Sequence, residues 1–266
     1  MDKTHTFECP SGLTGTVRGL SVADANSIAS ATRKKDRIAL AGRILKACWL
    51  TTEDPGPYEL EEGAAPKWDS ILQGDIDFLL IQIRVATHGP EYLFKTQCDN
   101  SSCREQFEWG IDLIDDLPVN KFDNAQRERF KEGNLFECET PDSGEIVTFK
   151  LPTHGDTKKQ AKQRANSRDQ LMTLALRTRI VSVEGVENLR QFIEGLSLGQ
   201  ANELIESFDM ADVGLDTDIE VECPDCGTIR EVSLPLDREF FFPTLHRKKL
   251  KRQKAEAAAA ADSSIR

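Results

Sequence analysis

Two stretches of the chain alternate apolar and polar residues on either side of a cysteine pair. In the first, Phe94 and Thr96 precede Cys98 and Cys103, and Phe107, Trp109, Ile111 and Leu113 follow. In the second, Ile219 and Val221 precede Cys223 and Cys226, and Val232, Leu234 and Leu236 follow. A period of two marks a strand with one buried face, so spans 93–113 and 217–236 predict two β-hairpins with a cysteine pair at each tip. Other stretches carry a helical pattern: Ala23 to Ala31 and Lys35 to Trp49 in the first half, a long helix from Lys158 to Val183 and a short one from Val186 to Glu194 in the second. The loop "TTEDPGPYELEEGAAPKW", 51–68, is acidic and rich in Pro and Gly, which predicts a surface segment.

The two hairpins share a register with what precedes them. Gly74 lies 24 residues before Cys98 and Gly199 lies 24 before Cys223, while Gly89 and Gly214 each lie nine before. Between the glycines, "GDIDFLLIQIRVATHG" and "GQANELIESFDMADVG" both read as a helix closed by a glycine cap, with Leu79 and Leu80 matching Leu204 and Ile205. Further back, "FECPSGLTGTV" (7–17) resembles "FECETPDSGEIVTF" (136–149), each a hairpin turning at a Ser-Gly. The expected fold class is therefore α+β and internally duplicated: two helical halves with β-hairpins, 1–119 and 134–243, joined at a zinc-ribbon-like four-cysteine site. Residues 120–133 read as a linker and 244–266 as a basic, Ala-rich tail.

Composition narrows the class. A chain of 266 residues can bury a sizeable core, and its longest apolar runs, such as "FLLIQI", are far shorter than the ~18 residues of a membrane span. The start "MDKTHTFECPSG" lacks the apolar centre of an export signal, so residence in the reducing compartment of synthesis is expected. Seven cysteines in such a setting read as thiols and metal ligands rather than a disulfide framework. The net charge of −11 disfavours nucleic acid as the main partner, because phosphate binding needs clustered Lys and Arg. One segment departs from that balance: "HRKKLKRQK", 246–254.

Zinc takes four thiolates in a tetrahedron, and short Cys-x2-4-Cys pairs at hairpin tips suit it. The reading is one structural Zn2+ held by Cys98, Cys103, Cys223 and Cys226. A degenerate site that has lost its metal, leaving disulfides or free thiols, is the alternative. Redox chemistry is disfavoured, since a redox Cys-x-x-Cys opens a helix and this one runs into the strand "TIREVSLPL". Cys9, Cys48 and Cys138 read as buried small residues. A closed set of four thiolates leaves no position for substrate. His5, His88, His154 and His246 form no His-x-x-His pattern and read as solvated or helix-capping groups, and neither a phosphate-binding glycine loop nor a nucleophile elbow occurs. The chain does not read as an enzyme.

Taken together, "VECPDCGTIREVSLPL", the repeated organisation and the ending "REFFFPTL" (238–245) resemble the baseplate hub and tail-assembly proteins of T-even-type contractile-tailed bacteriophages. Cys223 and Cys226 match that knuckle, and the four-residue spacing of Cys98 and Cys103 departs from it. The resemblance implies a virion structural or assembly protein of the hub region. It would act through contacts with other hub, wedge or tail tube proteins, in multiple copies of a symmetric assembly, and pass through the host cytoplasm during assembly. The competing class is a zinc-ribbon nucleic-acid adaptor using the basic tail. Phe240 to Phe242 are expected to pack on the protein's own body or on a neighbour, because exposing them forfeits burial.

Overall fold

The computed structural model describes residues 4–31, 37–141, 144–164, 171–234, 236 and 238–243. The chain opens with hairpin β1 (Thr4–Glu8) and β2 (Thr14–Arg18), then α1 (Val22–Ala31), α2 (Arg37–Cys48) and β3 (Trp49–Asp54). A single 3₁₀ turn at Trp68–Ser70 leads into α3 (Gln73–His88) and the hairpin β4 (Glu91–Gln97) and β5 (Gln106–Asp112). The connection holds β6 (Val119–Asn120) and α4 (Asn124–Glu132). There follow β7 (Phe136–Glu139), β8 (Ile146–Phe149), α5 (His154–Arg164), α6 (Leu171–Arg179), β9 (Ile180–Val183), α7 (Leu189–Gly195) and α8 (Leu198–Ala211). The chain ends in β10 (Gly214–Leu215), the hairpin β11 (Asp218–Glu222) and β12 (Ile229–Ser233), and α9 (Arg238–Phe241).

The fold is mixed helix and strand, as expected. Two three-stranded antiparallel sheets form, β1-β2-β3 and β7-β8-β9, and in each the third strand arrives after two helices. The first set is followed by α3 and the second by α7, α8 and β10, and each then leads into a two-stranded cysteine hairpin. β6 and β10 pair across the middle, joining the chain after the first hairpin to the chain before the second.

Two local expectations are corrected. The long helix over 158–183 ends early: α5 covers His154–Arg164 and α6 covers Leu171–Arg179, residues 165–170 lie outside the described ones, and Ile180 to Val183 form β9. The β-branched run Ile180, Val181, Val183 finds an open edge on β8, and Ile180 and Val183 are buried there, which outweighs helical continuation. The helix over 35–49 stops at Cys48, and Trp49 to Asp54 pair with β2, so the loop after it starts later than the acidic composition implies. The span 120–133, read as a linker, carries α4, whose start is fixed by a capping box: Asp123 accepts from the Gln126 amide and the Gln126 side chain accepts from the Asp123 amide.

One hydrophobic cluster runs through the described residues. Phe122, Phe136, Phe149 and Phe208 form a chain of ring contacts, the last pair stacked with centroids 4.4 Å apart. Where α3 meets β10, Gly74 and Gly214 bring the backbones together: a Cβ on Gly74 would lie 1.7 Å from the Val213 carbonyl oxygen. The end of the chain returns to the first half. Phe240 and Phe241 are fully buried, Phe240 packs edge-on to Tyr92 at 4.9 Å, Arg84 Nε donates to the Phe240 carbonyl at 2.9 Å, and His88 Nε2 donates to the Phe241 carbonyl at 2.8 Å. The aromatic cluster thus packs on the protein's own body, as burial energetics require. The basic segment 246–254 lies outside the described residues.

Candidate metal centre

Alternation along β4 buries Tyr92 and Phe94, and along β11 it buries Ile219 and Val221, so both hairpins lean on the core by one face and project their tips. Each tip closes in the same way. The Cys98 amide donates to the Glu105 carbonyl at 2.8 Å and the Cys223 amide to the Thr228 carbonyl at 3.0 Å, one ladder step beyond Gln97–Gln106 and Glu222–Ile229.

The four predicted cysteines come together. Cys98 Sγ lies 3.6 Å from Cys226 Sγ, Cys103 Sγ lies 3.8 Å from Cys223 Sγ, and all four sulfurs fall within 4.8 Å of one another. A tetrahedron with metal–sulfur bonds near 2.3 Å has sulfurs about 3.8 Å apart, so the cross-hairpin separations are those of a tetrathiolate shell. They are not those of disulfides, whose sulfurs bond at about 2 Å. All seven cysteines of the chain are free thiols; Cys9 and Cys48 are buried, while Cys138 is only half-buried.

Backbone amides face the sulfurs. The amide two residues on contacts Cys98 (from Asn100), Cys103 (from Glu105) and Cys226 (from Thr228). The Thr228 hydroxyl, 3.2 Å from Cys226 Sγ, and then its amide draw the Cys226 thiol down to about 6. The Glu105 amide acts the same way on Cys103, but burial and the neighbouring thiols prevail and push it up to about 12. Burial also raises Cys98. Four sulfurs this close repel one another once ionised, and a divalent cation among them would offset that charge.

The wider Cys98–Cys103 spacing fits because of one residue. Arg104 has a left-handed backbone, φ 53°, as does Gly227, φ 68°, and each directly follows the second cysteine of its pair. The left-handed residue turns the chain back into the returning strand, so two extra residues enlarge the first loop without moving its cysteines out of reach. The residues that clamp the hairpins to each other were not anticipated from the sequence. Arg230 Nη1 donates to the Gln97 carbonyl at 2.6 Å and pairs with Asp99, and Asn100 Nδ2 donates to Thr228 Oγ1 at 3.4 Å. Their only sequence signal is proximity to the cysteines.

The histidines expected to be solvated or capping are largely occupied inside the fold. His154 opens α5 but is buried, with Nδ1 3.1 Å from Gln73 Oε1, and burial lowers its pKa. His88 holds the C-terminal segment, and His5 Nε2 sits 3.0 Å from Gln82 Oε1. Among the described residues the four cysteines form the one cluster of side chains suited to a metal ion, and no helix is long and apolar enough to cross a membrane.

Comparison with known proteins gives one family. A family model described as T4 bacteriophage base plate protein matches residues 3–242. No curated protein and no solved structure matches the chain.

Proposed function

We propose, from the premise that the chain belongs to the T4 bacteriophage base plate protein family, that its structural role in the phage tail is exercised at the hub region through protein–protein contacts, without catalysis. Family membership implies contact with other baseplate or tail components and a place in the virion tail. Within that role we assign Cys98, Cys103, Cys223 and Cys226 as ligands of a single structural Zn2+. The observation that carries the assignment is the pair of sulfur separations between hairpins, 3.6 and 3.8 Å. Four thiolates from two hairpins form a closed shell, which fixes structure and leaves no coordination position for a reacting molecule. The ion would tie residues 1–119 to residues 134–243, which we read as two copies of one ancestral unit with α4 as their connector.

The supporting pattern is the shared order of three-stranded sheet, helix and cysteine hairpin, with a left-handed residue after each cysteine pair. Multiple copies in a symmetric assembly, neighbours among hub, wedge or tail tube proteins, and assembly in the host cytoplasm complete the reading. Native mass spectrometry of chain purified without chelator should find one zinc per chain, lost in Cys223→Ser/Cys226→Ser. A metal-free native mass, or a double variant that melts with the parent, overturns the zinc. Affinity purification from infected cells should recover other baseplate proteins; recovery of none overturns the assembly role.

A further inference from the structure

A second surface stands apart from the cysteines. An open groove of about 690 Å3 runs between α2 and the 3₁₀ turn, with Arg43, Lys46 and Lys67 on its walls and the half-buried Trp68 beside them. Arg43 and Lys46 also border an adjoining hollow of about 210 Å3 against α1, so the two depressions form one trench. The acids of the trench are already neutralised. Asp69 pairs with Lys158, and Asp24 pairs with Arg18, whose guanidinium holds the Asp24 carboxyl well below the usual carboxylate range. Arg43, Lys46 and Lys67 are exposed and have no carboxylate partner among the described residues. In a chain of net charge −11, three uncompensated cations around an apolar floor are a local reversal of sign. The floor is smooth as well: a Cβ added at Gly42, on the groove side of α2, would meet nothing within 4 Å.

We infer that this trench docks an acidic segment of a neighbouring baseplate subunit, one carrying an apolar side chain between carboxylates. The carboxylates would meet Arg43, Lys46 and Lys67, and the apolar side chain would lie against Trp68, whose ring is held in place by an edge contact with Trp49 at 5.3 Å. A peptide fits these observations better than nucleic acid. Polyanion binding draws on roughly six to ten phosphate contacts, whereas among the described residues three cations without a carboxylate partner line the groove, on an otherwise acidic protein. The inference rests on the assembly role proposed above, but its test does not.

The test uses the full chain and a fluorescein-labelled peptide of alternating Asp and Glu around one central Leu, followed by fluorescence anisotropy. An amide version, Asn and Gln throughout, and a single-stranded oligo-dT of equal charge are run in parallel. The acidic peptide should bind saturably and weaken with salt. Arg43→Glu/Lys46→Glu should lower its affinity at least tenfold while leaving circular dichroism and zinc content unchanged, because both side chains project into solvent. Equal binding of the amide peptide, or unchanged affinity in the double variant, overturns the inference. Tighter binding of oligo-dT that is likewise lost in the double variant overturns it in favour of nucleic acid.

Discussion

Replacing Gly74 with alanine measures how closely the two parts of the chain approach. Gly74 is the second residue of α3, and a Cβ there would lie 1.7 Å from the Val213 carbonyl oxygen, 2.6 Å from that carbon and 2.9 Å from Gly214 Cα. All three are backbone atoms, so no rotamer change relieves the contact, and α3 and β10 must part by roughly 1.5 Å to reach van der Waals separation. Alanine gains up to about 1 kcal/mol over glycine in a helix. Overpacking in a tight interior costs about 1 to 3 kcal/mol, and more where only backbone can yield. At the upper end of that range the balance is a loss of about 2 kcal/mol, which for a chain of this size lowers Tm by roughly 4 to 8 °C. Gly199 supplies the control: it is the second residue of α8, at the same offset from its cysteine pair, yet a Cβ there would meet only Ser197 Oγ, at 3.9 Å. Gly199→Ala should melt with the parent or slightly above it. Thermal and urea unfolding followed by far-UV circular dichroism decide the matter. A Gly74→Ala protein melting within about 2 °C of the parent, or a Gly199→Ala protein falling equally far, would refute the reasoning.

Three further outcomes are expected. Burial pushes the Asp212 carboxyl up to about 6 against the opposing pull of Arg179 at 3.6 Å. With an unfolded value near 3.9, the folded state holds the proton more tightly, so this contribution is full below about pH 4 and lost as pH rises through 6. Asp212→Asn should flatten the stability profile over that window and stabilise the protein at pH 7 by about 1 to 2 kcal/mol; an unchanged slope in urea titrations counts against it. Arg84→Met removes the donor to the Phe240 and Gly89 carbonyls and the cation over the Tyr92 and Phe240 rings, so hydrogen exchange should accelerate at residues 238–243, and unaltered protection there would rule the anchor out. Deleting residues 244–266 should leave a folded, zinc-loaded chain that fails to enter particles, since the deletion spares Phe240 and Phe241 but removes the basic segment; normal incorporation would contradict a docking role for it.

The cysteine cluster was legible because each half of it is local. Alternation around each pair, plus spacing, sufficed to place both hairpins and all four sulfurs. What the sequence hid depends on partners distant along the chain. Ile180 to Val183 look helical by continuity with α6, and only the free edge of β8 makes them a strand. Gly74 and Gly199 look equivalent, yet one sits against foreign backbone and the other against solvent. Arg230 alternates like any strand residue, and nothing local says that it reaches Gln97, 133 positions away. Arg104 carries the left-handed turn that a glycine carries in the second knuckle, so no composition cue marks it.

The division of the sulfurs between two distant hairpins also bears on how the chain comes off the ribosome. Cys98 and Cys103 emerge first, and the set is complete only with Cys226, 123 residues after Cys103. At translation rates of about 5 to 20 residues per second, that interval is roughly 6 to 25 seconds. During it the first hairpin presents two thiols without the two that cluster with them, and the Phe240–Phe241 anchor that covers Tyr92 and Arg84 comes later still. A nascent chain cut short anywhere before residue 226 therefore carries an incomplete thiol shell, and one stopped before residue 241 leaves aromatic surface open. Residues 223 to 241 close both the thiol shell and the aromatic surface, so a product terminated before them presents itself to chaperones and proteases before it can be mistaken for a folded subunit.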